Sequence, residues 1–117
     1  EGRDGVFLID TGAARDTVTF HYQVVADLEL LDGRETTEGR AGGVGGFVAT
    51  RVGELTSFHL GGRTFEKLRA AFAIEDKGAF ANDYVAGNIG GVLLEPFELV
   101  FDYPNGRLGF VERTAAR

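Results

Sequence analysis

Glycine is the feature of this sequence that most constrains its fold. The chain has 117 residues with 18 glycines and only 2 prolines, and five of the eight residues from 39 to 46 are glycine. Glycine supplies the backbone freedom that tight turns require. Ten phenylalanines provide large apolar side chains for a small core. The composition therefore favours an all-β domain with many turns.

The charge balance and the missing residue types exclude several classes of function. With 12 Lys and Arg against 18 Asp and Glu, the net charge of −6 makes nucleic acid and anionic membranes poor partners. The absence of Cys excludes disulfides, thiolate metal sites and cysteine nucleophiles. Ser57, the only serine, lacks the Gly-x-Ser-x-Gly setting of a hydrolase nucleophile. No apolar run is long enough to span a membrane.

Apolar periodicity predicts the elements of the first third of the chain. The continuous run Val6–Ile9 is typical of a strand that is buried on both faces, and residues 17–20 are predicted to form a second strand. A stripe at helical spacing then predicts a short amphipathic helix that ends at Asp32-Gly33; it consists of Phe20, Val24, Val25 and Leu28.

The middle of the chain is predicted to be a long hairpin. The glycine-rich segment 39–46 precedes a predicted strand over 47–52, and a further strand over 57–60 ends at Gly61-Gly62. A strand, a glycine-rich tip and a second strand indicate a flexible hairpin. Residues 64–74 fit both helical spacing and strand alternation, so the sequence leaves both structures open there.

The sequence of the last third of the chain predicts a loop, three strands, a short helix and a tight turn. We expect a loop over 75–84, a strand over 85–89, a short helix over 90–95 that Pro96 ends, and paired strands over 97–103 and 107–112. The turn Pro104-Asn105-Gly106 suits a type I turn with Gly106 in the left-handed conformation.

The triplet Asp10-Thr11-Gly12 is the best candidate for chemistry. A carboxylate at the end of a buried strand must be hydrogen-bonded, paired or protonated. Thr11 supplies a hydroxyl, and Gly12 lets backbone N–H groups turn back towards the carboxylate. Such a carboxyl group suits acid–base catalysis. The alternative is a turn with an Asx hydrogen bond, and on the triplet alone this alternative comes first.

Three segments together resemble the retropepsin-like aspartic proteases. They are residues 7–18 around the triplet, the glycine-rich hairpin in the place of the family's flap, and residues 85–103, which resemble the hydrophobic-hydrophobic-Gly motif, helix and closing strand. The form of residues 87–90 is similar to that of a bacterial branch of aspartyl proteases, some of which carry a PDZ domain. The matches occur in the right order over nearly the whole chain, and the resemblance implies a small closed β-barrel with one or two short helices and a flap.

The resemblance also implies roles for particular residues. The catalytic residues would be Asp10, Thr11 and Gly12; the flap and substrate-binding residues would be Gly42, Gly43, Val44, Gly45 and Gly46; the supporting loop would be Ala13, Asn88, Ile89 and Gly90. No cofactor and no metal are expected. Ala14 stands where the family more often has a polar residue, and Asn88 replaces the first apolar residue of the hydrophobic-hydrophobic-Gly motif.

A single triplet implies half of an active site. The aspartic-protease mechanism needs two carboxylates that share one proton around a water molecule. Asp83 and Asp102 lack the Thr and Gly context, so the second carboxylate is expected from a homodimer or a second lobe. The expected substrate is a peptide or protein. The rival interpretation is a non-catalytic module of the same fold that serves dimerisation or peptide binding.

The organisation of the whole protein is expected from resemblance alone. We expect one domain over residues 1–117, excised from a longer protein, with an N-terminal strand missing or supplied from elsewhere. A neighbouring PDZ domain and a periplasmic or other extracytoplasmic location are further expectations of this kind.

Two other features are interpreted as structural. His21 and His59 have no metal-ligand spacing and are predicted to be surface or packing residues. Residues 42–46 lack the Gly-Lys-Ser/Thr that a phosphate-binding loop requires.

Overall fold

The computed structural model describes residues 5–10, 17–43, 46–81 and 85–112. These residues form mainly strands, with two short helices. In chain order the elements are β1 (Phe7–Ile9), β2 (Val18–Phe20), α1 (Tyr22–Asp27), β3 (Thr36–Gly43), β4 (Gly46–Leu60), β5 (Arg63–Ala73), β6 (Gly87–Ile89), α2 (Gly91–Leu94), β7 (Phe97–Asp102) and β8 (Arg107–Glu112), with single 3-10 turns at Gly78–Phe80 and Tyr103–Asn105.

A six-stranded sheet curls into a half-barrel and contains most of the strand residues. Its strand order is β1-β6-β2-β5-β4-β3, and β7 and β8 form a separate two-stranded sheet. Strands β1 and β6 run parallel, as do β2 and β5, while the other neighbours are antiparallel. The predicted all-β, retropepsin-like fold class is confirmed.

Aromatic side chains fill the main core on the inner face of this sheet. Phe72 of β5 is fully buried and stacks on Phe20 of β2 with ring centroids 5.2 Å apart. Phe7 of β1 makes edge-on contacts with Phe20 and with Phe58 of β4. Because these rings come from four strands, they tie the sheet together across its width. A smaller cluster comprises Ala41, Val48, Ala73 and Phe80, with Tyr22 packed against it.

The predicted hairpin forms, but its second strand is longer than expected. The sequence predicts a break between residues 52 and 57, whereas β4 continues without interruption from Gly46 to Leu60. Position 53 lies inside this strand and requires glycine, because the backbone of a neighbouring segment approaches it closely. An added methyl group there would lie 2.9 Å from the carbonyl oxygen of Glu35. Gly39 likewise lies within β3, where a methyl group would lie 2.7 Å from Val52.

The ambiguous segment is a strand. Residues 63–73 form β5, which pairs with β4 on one side and with β2 on the other. Strand alternation directs Ala70 and Phe72 into the core. Pairing with a strand on each side, together with this burial, favours the strand over the helix. The prediction that the first strand is buried on both faces is wrong. Strand β1 is at the sheet edge, and Leu8 is 53% exposed while Val6 precedes the strand and is 69% exposed.

The remaining predicted strands and helices form with the predicted bounds or with shorter ones, while the predicted loop over 75–84 contains a 3-10 turn and its residues 82–84 lie outside the described residues. Helix α1 starts after Phe20, which belongs to β2, and it buries Val25. Gly106 adopts the left-handed conformation with a φ of 61° between β7 and β8, as predicted. Within the described ranges of the chain, no helix has the length and apolar character needed to cross a membrane.

Candidate functional site

Asp10 lies immediately after β1, and its backbone is held by β6. The Asp10 N–H donates a hydrogen bond of 2.8 Å to the carbonyl oxygen of Ile89, which continues the parallel pairing of β1 with β6. The Asp10 residue is partly buried. The position of this carboxylate therefore depends on the short strand β6.

Strand β6 is itself anchored on its other side. Ile89 is fully buried and pairs with Ile9 on β1 and with Val18 on β2. The N–H of Gly90 donates a hydrogen bond of 2.7 Å to the carbonyl oxygen of Thr17. The structure thus brings together parts of two of the three segments that carry the resemblance, residues 7–10 and 87–90, and joins both to the start of β2.

Close backbone packing between β6 and β2 requires glycine at position 87. This residue pairs with Phe7 on β1 and Phe20 on β2. A methyl group added at Gly87 would lie 2.5 Å from the carbonyl oxygen of Thr19 and 3.2 Å from the Cα of Phe20. Because both atoms belong to the backbone, they cannot move aside without disturbing the sheet.

Several residues of the predicted site lie outside the described residues. These are Thr11, Gly12 and Ala13 beside Asp10, Val44 and Gly45 at the hairpin tip, and Asp83. Asp102 ends β7, which belongs to the two-stranded sheet, whereas Asp10 follows β1 of the six-stranded sheet.

The described part of the hairpin end carries an exposed aromatic ring. Gly42 pairs with Phe47, and Gly43 with Gly46. Phe47 is 66% exposed, and the Arg40 guanidinium carbon lies 5.5 Å from the centroid of its ring. The predicted flap comprised residues 42–46, and the contact of Arg40 with the exposed Phe47 ring beside it did not follow from the sequence.

His21 is a second residue whose environment the sequence did not reveal. The sequence predicted a surface or a packing residue, and the structure shows a packing residue with only 1% of its surface exposed. Its Nε2 lies 2.7 Å from Oδ1 of Asn88, and its ring meets the edge of Phe80 with centroids 5.6 Å apart. His59 is exposed and contacts Thr64 through Nδ1 at 2.9 Å, in agreement with its predicted surface position.

A cavity on the inner face of the sheet does not include Asp10 in its lining. Its volume is about 590 Å³, and its walls are mostly apolar, with Phe7, Ile9 and Phe58 among them and without Asp10. The side chain of Ile9 therefore faces the cavity, while Asp10 lies beyond the end of the strand. In the part of the chain that the structure describes, no group of three or more His, Asp or Glu residues is arranged to hold a metal ion.

The fold and site together define a retropepsin-like half-barrel with an aspartate at the end of its first described strand and a glycine-rich hairpin in the same sheet. A sequence comparison with known protein families matches residues 1–94 to the family described as aspartyl protease. The matched segment contains Asp10 and the elements from β1 to α2. The chain belongs to the aspartyl protease family. No match was found among curated proteins or among solved structures.

Proposed function

We propose that this chain is an aspartic endopeptidase in which Asp10 is one of the two catalytic carboxylates. The observation that carries the proposal is the attachment of Asp10 to β6 by the hydrogen bond from its N–H to the Ile89 carbonyl. This bond ties the end of β1, where the carboxylate follows, to β6, a strand that is paired on both sides. The family match over residues 1–94 supports peptide hydrolysis as the reaction class.

The chemistry needs a second carboxylate within reach of the first. Two carboxyl groups about 3 Å apart share one proton, because both cannot be ionised at that distance. The ionised group accepts a proton from water as the water oxygen bonds to the scissile carbonyl carbon. The protonated group donates its proton to the carbonyl oxygen. The C–N bond then breaks as the nitrogen takes the first proton, and a hydroxyl proton of the intermediate restores the second carboxyl group.

A second copy of Asp10 is the simplest source of that carboxylate. A two-fold interface places identical residues on either side of its axis, so two chains that meet near Asp10 would form one complete site. A second lobe in a longer chain would serve equally. By resemblance, Thr11 braces the loop of the opposite half, and Gly12 allows the loop to turn.

The hairpin of β3 and β4 is proposed to close over the substrate. The proposed flap comprises residues 42–46, of which Gly43 and Gly46 pair with each other, and the neighbouring Phe47 exposes its ring to solvent. A peptide bound in extended form would pair with strand backbone, while side-chain pockets would select the sequence. Closure of the hairpin would exclude water from the reacting bond.

Cleavage of a peptide library at acid pH tests this proposal. Because Asp10→Asn removes the ionisable carboxyl group from both halves of a homodimer, we expect it to lower kcat by about 10³-fold or more. Asp32→Asn is the matched control, since Asp32 is exposed and lies on the segment after α1. Pepstatin should inhibit the wild type and the control. Cleavage that survives in Asp10→Asn would contradict the assignment.

The presence of only one Asp-Thr-Gly triplet favours a second candidate, a module of the same fold that binds peptides or dimerises without catalysis. Light scattering together with the cleavage assay separates the two. A dimer that cleaves peptides supports the endopeptidase. A chain that binds peptides but leaves them intact in every oligomeric state supports the non-catalytic module.

A further inference from the structure

We propose that His21 is a positioning residue for Asp10 and acts through Asn88. The importance of this role for catalysis rests on the proposed function, whereas the structural coupling can be measured without any activity. His21 does not contact Asp10 in this assignment. It holds the strand that in turn holds the Asp10 backbone.

The first step is the fixed position of His21. Its side chain is almost completely buried, and its Nε2 lies 2.7 Å from Oδ1 of Asn88, which is a short hydrogen bond. The His21 N–H donates a hydrogen bond of 2.9 Å to the carbonyl oxygen of Ala86. The ring is further confined by the edge-on contact with Phe80. Both backbone and side chain of His21 are therefore tied to the segment around β6.

The second step leads from Asn88 to Asp10. Asn88 is the central residue of β6, which is only 3 residues long, and it pairs with Leu8 on β1 and Thr19 on β2. The next residue, Ile89, accepts the hydrogen bond from the Asp10 N–H. Because so short a strand makes few backbone hydrogen bonds, a side-chain anchor at its centre restricts its movement along and around its axis. Movement of Ile89 would shift Asp10.

The third step concerns the polar character of both His21 and Asn88, which depend on each other as hydrogen-bond partners. An apolar side chain at residue 88 would leave the buried His21 ring nitrogen without this partner, and an apolar ring at residue 21 would do the same to the Asn88 carboxamide. The pair is therefore expected to behave as a unit, in which the loss of one partner costs more than the exchange of both.

Amide hydrogen exchange measured by NMR tests the coupling directly. We expect His21→Phe to accelerate exchange of the Asp10 amide by about tenfold relative to the amide of Phe72, which lies in the centre of the sheet. His21→Gln is the rescue variant, because its side-chain NH₂ can donate to Asn88, and it should bring the acceleration to within about threefold of wild type. In the double variant His21→Phe, Asn88→Leu, the Asp10 amide should exchange more slowly than expected from multiplying the accelerations of the two single variants.

Three results would overturn the proposal: no change at Asp10, equal acceleration at Asp10 and Phe72, or no rescue by His21→Gln. If His21→Phe does not fold, Asn88→Ala removes the same hydrogen bond, and the substitution falls on a residue that is only partly buried. Exchange of the Asp10 amide is then compared with exchange of the Phe72 amide in that variant. With an active enzyme, we further expect kcat to fall about tenfold in His21→Phe with little change in KM. Inactivity of the wild type would refute the proposed function alone, since the exchange measurements would still decide the coupling.

Discussion

Substitution of Gly87 by alanine tests whether close packing between β2 and β6 holds the candidate site in place. The added methyl group would lie 2.5 Å from the carbonyl oxygen of Thr19, whereas ordinary contacts begin near 3.4 Å. The strands must therefore separate by nearly 1 Å or lose their pairing. Because the opposing atoms belong to the backbone of a core strand, no side-chain rotation can relieve the overlap.

The expected cost follows from the size of this overlap. Extra methyl groups in a packed interior typically cost about 1–3 kcal/mol, and a clash with backbone belongs at the upper end of that range. We therefore expect Gly87→Ala to lower the free energy of unfolding by about 3 kcal/mol. For a domain of this size, that corresponds to a fall in Tm of about 12 °C.

Urea unfolding followed by circular dichroism measures this difference, and the chain offers a matched control. Gly109 is also a strand glycine, on β8, but a methyl group there would lie 3.6 Å from Val100 in ordinary contact. Gly109→Ala should leave the stability unchanged or raise it by about 0.5 kcal/mol, because alanine restricts the unfolded chain. Equal stability of the two variants would refute the argument that backbone proximity at Gly87 constrains the sheet.

Two further predictions concern buried side chains, and the first has a matched control. The Thr50 hydroxyl is buried without a hydrogen-bond partner among the residues that the structure describes, so Thr50→Val should raise the free energy of unfolding by about 1 kcal/mol. Thr36→Val is its control, because the Thr36 hydroxyl accepts a hydrogen bond of 2.9 Å from Arg51. This variant should lower the free energy of unfolding by about 1 kcal/mol in the same urea titration. A Thr36→Val variant that is more stable than Thr50→Val would contradict the reasoning. Phe72→Ala should cost about 3–5 kcal/mol by thermal unfolding, since Phe72 is fully buried and stacks on Phe20, and a loss below about 1 kcal/mol would mean that this core is not closely packed.

The part of the fold that depends on neighbours in the sequence could be predicted from the sequence. The glycine-rich hairpin, the left-handed turn at Gly106 and the strand that leads to Asp10 all rest on local turn chemistry and short apolar patterns. The position of Asp10 at a strand end also follows from such a pattern. The resemblance then extended this local information to a family, and the match over residues 1–94 confirmed it.

The predictions that failed or stayed open concern residues whose state depends on distant parts of the chain. Residues 63–73 became a strand because they lie between β2 and β4, and alternation alone could not indicate that both partners exist. The strands predicted over 47–52 and 57–60 are one continuous strand, in which the nearby backbone of Glu35 requires glycine at position 53. Leu8 is exposed because it lies on the face of β1 opposite to Phe7 and Ile9, and the apolar run could not indicate that this face is left uncovered.

The sequence by itself determined that this is an all-β member of the aspartyl protease family with a candidate catalytic Asp10. Only the tertiary structure decided what holds Asp10 in place. The Ile89 carbonyl and the contact between His21 and Asn88 join residues that are far apart in the chain, the latter pair by 67 positions. Periodicity and turn chemistry describe interactions within a few residues, so contacts across a sheet emerge only when the strands have taken their order.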